Sequence, residues 1–409
     1  MKFSLDKTYL ILLFYISPFI DALSGYLILS KILPEGGVGS PSQLFRLFLI
    51  ILSILILLKN KKYFHISMIL IVYIIFMEFV FFYIHGNVFG YIIGLVYGSK
   101  LIYLLLIYLT LYYLYSVKKI SFKSLLTYIQ KYVLTMGILL VVPFILGVGF
   151  SSYEEGTFGN KGFFAAGNGL GIFMGTGLML SIYYWKYTRK RYSLFLSLFL
   201  VFSTVIIGTK TVFIFSLVAL IFMIYYLKNY YLKHAILFIL LYIFIFYSQD
   251  ISDSLKTIFD VVFYRLNNND SFISFLMSNR DVYFQDAISN ISYEGLYALR
   301  LFFGLGAYVS FRNPYEQLNS IDILESDFSD IFFMYGLLVL FIYLFIFIIV
   351  MSQCFIKKQF FLGLIFFMLF SHSLLAGHVL FNGMSGIMLP FLILLILTFK
   401  PKIPIKGFR

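Results

Sequence analysis

Charge is scarce in this sequence. Only 12% of its residues are Asp, Glu, Lys or Arg, 61% are hydrophobic, and the mean hydropathy is +0.96. A water-soluble domain is about a quarter charged, so the composition excludes an ordinary soluble protein. Cysteine is scarcer still. The one cysteine, Cys354, stands near Lys357 and Lys358 and excludes an internal disulfide or a cysteine-based metal cluster. No small-residue cleavage site follows the first apolar run, so that run is expected to serve as its own insertion signal. An internal repeat of the kind that marks the two halves of a secondary transporter is also missing.

What remains is a succession of apolar runs of roughly 20 residues, the length a helix needs to cross a bilayer. Barrel strands are shorter and alternate in polarity, so the expected fold is all-α and polytopic. About twelve spans are expected, near 9–30, 43–58, 66–84, 91–117, 126–148, 163–185, 193–208, 211–227, 234–248, 331–350, 359–377 and 384–399. Between them 20 of the 31 Lys and Arg fall in clusters after every second run and at both termini. By the positive-inside rule that side is the cytoplasm, which places both termini inside. The net charge of +13 is therefore a topology signal and no argument for nucleic acid. Abundant Tyr and Phe near the run ends read as interfacial belts.

One stretch breaks the pattern. Residues 249–329, with Asp330 at the edge, hold 12 of the chain's 18 carboxylates. They divide the chain into a membrane part with spans one to nine (1–248), a large extracytoplasmic loop (249–329), and a second membrane part with the last three spans and a basic tail (330–409). A polar module on a membrane body suits chemistry on a polar substrate tethered in lipid.

Several residues stand where an apolar helix or a short turn would not need them. Asp21 lies inside the first span, after Ser17-Pro18; an intramembrane carboxylate costs several kcal/mol unless it is paired or wet, and Lys100 of the fourth span is a candidate partner. Pro18 can free backbone carbonyls nearby. Lys161, in Asn160-Lys161-Gly162-Phe163, leads into a helix containing Asn168. Lys210 lies in Gly208-Thr209-Lys210-Thr211, which lacks the Walker spacing. Both lysines are on the outer side, where each either grips an anion or merely snorkels. Arg280 and Arg312 in the large loop carry the planar fork that grips phosphates bidentately, or pair with neighbouring aspartates. Gly304-Leu-Gly306 reads as a flexible turn. Glu325, Asp327 and Asp330 open the tenth span, either as helix-terminal acids or as a general-base site whose mutual repulsion raises a carboxylate pKa. His378 lies near the outer end of the eleventh span. Its spacing from His372 does not suit a shared metal on one helix face, and no metal is expected.

Taken in order, these segments resemble the O-antigen ligase and polymerase superfamily. The resemblance runs through the whole chain: Ser-Pro-Phe-Ile-Asp21, as in many Gram-positive members; Lys161-Gly-Phe-Phe with Asn168; Gly208-Thr-Lys210-Thr; a large outer loop with Arg280; Gly304-Leu-Gly306; and Glu325-Ser-Asp327-Phe before a helix containing Gly336. It implies a GT-C-like helical fold and metal-independent, cofactor-free transfer of a saccharide from undecaprenyl diphosphate. Lys161, Lys210 and Arg280 would bind the diphosphate, and Glu325, with Asp327, would act on the acceptor hydroxyl. Asp21, Asn168, Arg312 and His378 are further candidates for the substrate cavity. The chain departs from the ligases, which carry a His-Asn pair where it has Glu325-Ser-Asp327. Lysine stands at 161 and 210 where arginine is usual. The expected partners are an undecaprenyl-diphosphate-linked oligosaccharide, membrane lipid, a chain-length regulator and a flippase, at the plasma membrane of a bacterium. The expected activity is that of a polysaccharide repeat-unit polymerase, with a ligase as its near rival and a lipid-linked oligosaccharide flippase as the rival from another class.

Overall fold

A computed structural model describes residues 4–34, 39–152, 159–228, 231, 233–234, 284–285, 287–289, 297–304, 306–307 and 326–399. These are mostly helical, with one small β-ladder. In chain order the helices are α1 Leu5–Leu29, α2 Pro41–Leu57, α3 Lys61–His85, α4 Val88–Ser116, α5 Phe122–Ile145, α6 Gly167–Thr188, α7 Arg191–Ile207, α8 Lys210–Tyr226, α9 Tyr297–Phe303, α10 Asp327–Ile356, α11 Phe360–Leu375 and α12 Met388–Thr398. Helices occupy the positions expected for the first eight spans and the last three. The ninth, 234–248, lies outside the described residues apart from His234. Among the described residues five helices, α1, α3, α4, α5 and α10, are long and apolar enough to cross a membrane. The apolar helices α2, α7 and α8 have 17 residues each, about 26 Å at the usual rise.

The starts of several helices are written in the sequence. Ser4, Ser40, Asn60, Asn87 and Ser121 each accept a backbone N–H of the first turn, and Ser121 does so in a reciprocal capping box with Ser124. Pro18 leaves its mark inside α1. Having no N–H to donate, it follows a π-helical turn over Leu12–Ile16, and Ser17 Oγ bonds the Leu12 carbonyl at 3.3 Å.

The core is built around α6, which is buried continuously from Gly169 to Trp185. Its small residues make this feasible, because without side chains neighbouring helices can approach closely. Val212 and Phe215 of α8 and Val133 of α5 occupy the space that a Cβ would take at Gly171, Gly175 and Gly177. The outer faces of α3 and α10 are left apolar and open, with Ile69, Phe76, Phe345 and Ile348 exposed. On so apolar a chain these faces meet lipid.

Two features differ from the expectations. Phe150–Ser151 and Asn160–Gly162 pair as a two-stranded antiparallel ladder, so Lys161 sits on a hairpin strand. Helix α10 is broken at Gly336, whose φ of 75° and ψ of 178° belong to no helix. That backbone conformation is open essentially to glycine alone, and it lets the Phe302 carbonyl press against the break.

Candidate functional site at the loop end

Alternation of the helices gives the bundle two ends. One, the loop end, gathers the hairpin, the starts of α2, α4, α6, α8, α10 and α12, and the end of α11. Cross-links confirm the gathering: Ser152 Oγ donates to the Ile207 carbonyl at 2.7 Å, and Ser326 Oγ to the Leu374 carbonyl at 2.9 Å. The opposite, basic end carries Lys59, Lys119, Lys186 and Lys358.

Inside the helices at the loop end lies a group of charges. Asp21 pairs with Arg46, Oδ1 to guanidinium nitrogen 2.5 Å. The partner is thus Arg46 of α2 and not Lys100 as expected, because the second span runs alongside the first and presents a guanidinium there. Tyr103 and Tyr132 lie within the field of Arg46. Lys100 is placed between two influences, the like charge of Arg46 and the opposite charge of Asp330. Its Nζ stands 3.8 Å from the Tyr97 ring centroid, a favourable cation–π distance. Between α2 and α4 a cavity of about 80 Å³ is lined by Gln43, Arg46, Ser99, Lys100 and Tyr103. At about 30 Å³ per water it holds two or three waters or one small anionic group. Two cations, an amide and hydroxyls face the space, so its chemistry favours an anion.

The start of α10 is tied to the loop after α11. Asp327 is fully buried. Its Oδ2 accepts from Ser373 Oγ at 2.8 Å and from the backbone N–H of Val379 and Leu380 at 3.0 and 3.1 Å. Tyr343 O–H extends the chain to Ser373 at 3.0 Å. Through Oδ2 this carboxylate clamps the loop bearing His378, while its buried Oδ1 has no hydrogen-bond partner. His378 itself is half-buried with φ +61°, and its carbonyl accepts from Ser385 Oγ.

Two of the three basic residues expected to grip diphosphate, Lys161 and Lys210, lie on adjoining segments. The Lys161 hairpin touches the end of α7 through Ser152 and Ile207, three residues before Lys210, which opens α8. Beside Lys210, Thr211 Oγ1 lies 3.0 Å from His372 Nε2, and His372 Nδ1 lies 3.1 Å from the Gly377 carbonyl. A carbonyl can only accept, so Nδ1 carries a proton, and in the neutral ring Nε2 accepts from Thr211. Asn168 is exposed in the first turn of α6, and the next residue, Gly169, meets the Asn382 side chain. Glu325, Arg280 and Arg312 lie outside the described residues.

Two residues escaped the sequence reading. Arg46 could have been found, since together with Lys100 it is a cation inside an apolar run and outside the one-sided clusters. Glu78 is buried in α3, where it accepts from Ala307 N–H at 2.9 Å and from Tyr335 O–H at 3.0 Å. The rule that singled out Asp21 applies equally to it. Its contacts also correct the flexible turn expected at Gly304-Leu-Gly306. Gly306 N–H bonds the Met334 carbonyl at 2.9 Å, and Tyr73 O–H lies 3.0 and 2.9 Å from the carbonyls of Phe303 and Tyr335. The turn is docked onto the Gly336 break. No family model, no curated protein and no solved structure matches this chain.

Proposed function

We propose that this protein is a polysaccharide repeat-unit polymerase of about twelve spans with a GT-C-like fold, acting at the outer face of a bacterial plasma membrane. The observation that carries the reading is the gathering at one end of the bundle. The Lys161 and Lys210 turns, the Asp21–Arg46–Lys100 group and the start of α10, where the acidic stretch 249–329 rejoins the membrane part, all lie there.

In the proposed reaction an acceptor sugar hydroxyl attacks the anomeric carbon of a glycan on undecaprenyl diphosphate. The new C–O bond forms as the bond to the diphosphate oxygen breaks, and the diphosphate leaves with the electron pair. Glu325 takes the hydroxyl proton. Lys161, Lys210 and Arg280 stabilise the charge growing on the leaving group, the term that fixed cations supply best in a water-poor site. A diphosphate leaves as an anion, so no general acid is needed and the anomeric centre inverts. Asp327 holds the α10 start and the His378 loop in place.

A flippase for the same lipid is favoured by one observation, the cations Arg46 and Lys100 within apolar helices. Purified protein given synthetic undecaprenyl-diphosphate repeat units separates the readings. A product ladder, lost in Glu325→Gln and Arg280→Ala, supports a polymerase. Product only with a foreign acceptor indicates a ligase. Lipid scrambling in vesicles without transfer rejects the enzyme.

A further inference from the structure

The basic end holds a cleft that the polymerase reading does not use. Its cavity of about 1090 Å³ lies among the ends of α4, α6, α8 and α12 and the starts of α5 and α11. That is at the upper limit of ordinary small-molecule sites, roughly 300–1,000 Å³. Two lysines, Lys186 and Lys358, face it, and no carboxylate among the described residues lines it. Lys186 is held in position by Tyr226, with Nζ 3.0 Å from the hydroxyl and 4.2 Å from the ring centroid. Lys357, by contrast, is turned away to the carbonyls of Ile396 and Leu397, at 3.0 and 2.6 Å. None of the ion pairs among the described residues involves Lys186 or Lys358.

A second observation points to a ligand. Gln359 lines the cleft and is only 6% exposed, yet neither its amide nitrogen nor its amide oxygen has a hydrogen-bond partner. A buried amide left unsatisfied costs about 1–3 kcal/mol; its two polar atoms are closed off from solvent, and turning them toward an occupant of the cleft would recover that cost. Gln359 also stands at the N-cap of the 16-residue helix α11 without capping it. The first N–H groups of a helix have no intrahelical partner and favour an anion. At the rim, Tyr225 and Phe360 are 73% and 66% exposed, aromatic rings of the kind that sit at a bilayer interface.

We propose that this cleft binds an anionic glycerophospholipid, its headgroup phosphate held by Lys186, Lys358, Gln359 and the opening N–H groups of α11, and its acyl chains lying against the rim aromatics. Basic pockets between helices on the cytoplasmic side suit such headgroups, and that leaflet is the anionic one. The inference requires that the chain spans a membrane with this end in the cytoplasm, and it does not rest on the polymerase chemistry.

The chain's single tryptophan, Trp185, adjoins Lys186 and reports on the site. The full-length protein is placed in phosphatidylcholine nanodiscs doped with either phosphatidylglycerol or phosphatidylcholine brominated near the glycerol, and Trp185 fluorescence is read. Brominated phosphatidylglycerol is expected to quench at least about twofold more than brominated phosphatidylcholine, a preference worth about 0.4 kcal/mol (RT ln 2). Lys186→Gln with Lys358→Gln removes the preference, Gln359→Leu reduces it, and Lys7→Gln, at the same end but outside the cleft, keeps it. Circular dichroism establishes that each variant is folded, and Gln359→Leu, which removes only a buried amide, keeps the test open if the lysine pair fails to fold. Equal quenching by the two lipids overturns the proposal. So does loss of the preference in Lys7→Gln, which would mean diffuse attraction to the surface. Inorganic phosphate that raises the melting temperature in lipid-free detergent as much as phosphatidylglycerol does would overturn the lipid assignment.

Discussion

The loop end and the basic end handle charge in opposite ways. Arg46 and Asp21 form their ion pair within helices, with side chains 19% and 10% exposed. At the basic end Asp6 joins Lys59, at 3.2 Å, and Lys119, yet those lysines remain 44% and 46% exposed. In this second group Asp6 itself is only 7% exposed, but water solvates both of its lysine partners whether or not they are paired. The first has no such recourse, since charge in an apolar helix is tolerated only when partnered or wet. On the proposed reading, charges at the basic end set the orientation of the chain. Those at the loop end are retained against a cost, which is why the proposed function is placed there.

The comparison breaks most visibly if Arg46 is removed. Arg46→Ala strands the Asp21 carboxylate and is expected to cost about 3–5 kcal/mol, read as loss of folded protein or a large fall in melting temperature in detergent. Asp21→Leu with Arg46→Leu removes both charges and is expected to recover at least half of that loss; no recovery would mean the pair is not the cause. Next in size is Gly336→Ala. Forcing a Cβ into that conformation, against the Phe302 carbonyl, costs about 3 kcal/mol, and protease cleavage within 304–307 should accelerate as the docked turn loosens.

Asp327→Asn keeps one acceptor oxygen and loses the charge that holds Ser373 and two backbone N–H groups. A loss of about 1–2 kcal/mol follows, with polymer synthesis falling in step with stability. An unchanged melting temperature with abolished synthesis would instead make Asp327 the base.

The smallest effect belongs to the basic end. Asp6→Asn should cost below ~1 kcal/mol and be masked by salt. The Asp6 hydrogen bond raises Lys119 above the ordinary lysine value of 10.5. Its folded value exceeds its unfolded one, so this contribution is complete below the ordinary value and disappears as pH rises through the raised one. Stability curves of the wild type and Asp6→Asn should therefore converge in strong alkali; parallel curves would show that Lys119 takes no part.

Much of the helical order was legible because apolar runs, serine and asparagine caps and lysine clusters are local signals. Asp21 was legible as an anomaly, but its partner was not. Which of Arg46 and Lys100 meets it depends on how α2 and α4 pack beside α1, information no window of sequence contains. Glu78 shows a second limit, since its ligands, Ala307 and Tyr335, lie more than two hundred residues away. Asp327 shows a third: an acid at a helix start looks the same whether it caps that helix, moves a proton or clamps the loop 378–385.

The most direct test of the account is which end faces the outside. In a Cys354→Ser background, Val148→Cys at the loop end and Lys190→Cys at the basic end, both exposed, are challenged in intact cells with a membrane-impermeant maleimide. The account predicts labelling of residue 148 at once and of residue 190 only after the membrane is permeabilised. The reverse pattern would place the Asp21–Arg46 end in the cytoplasm and contradict a polymerase acting at the outer face.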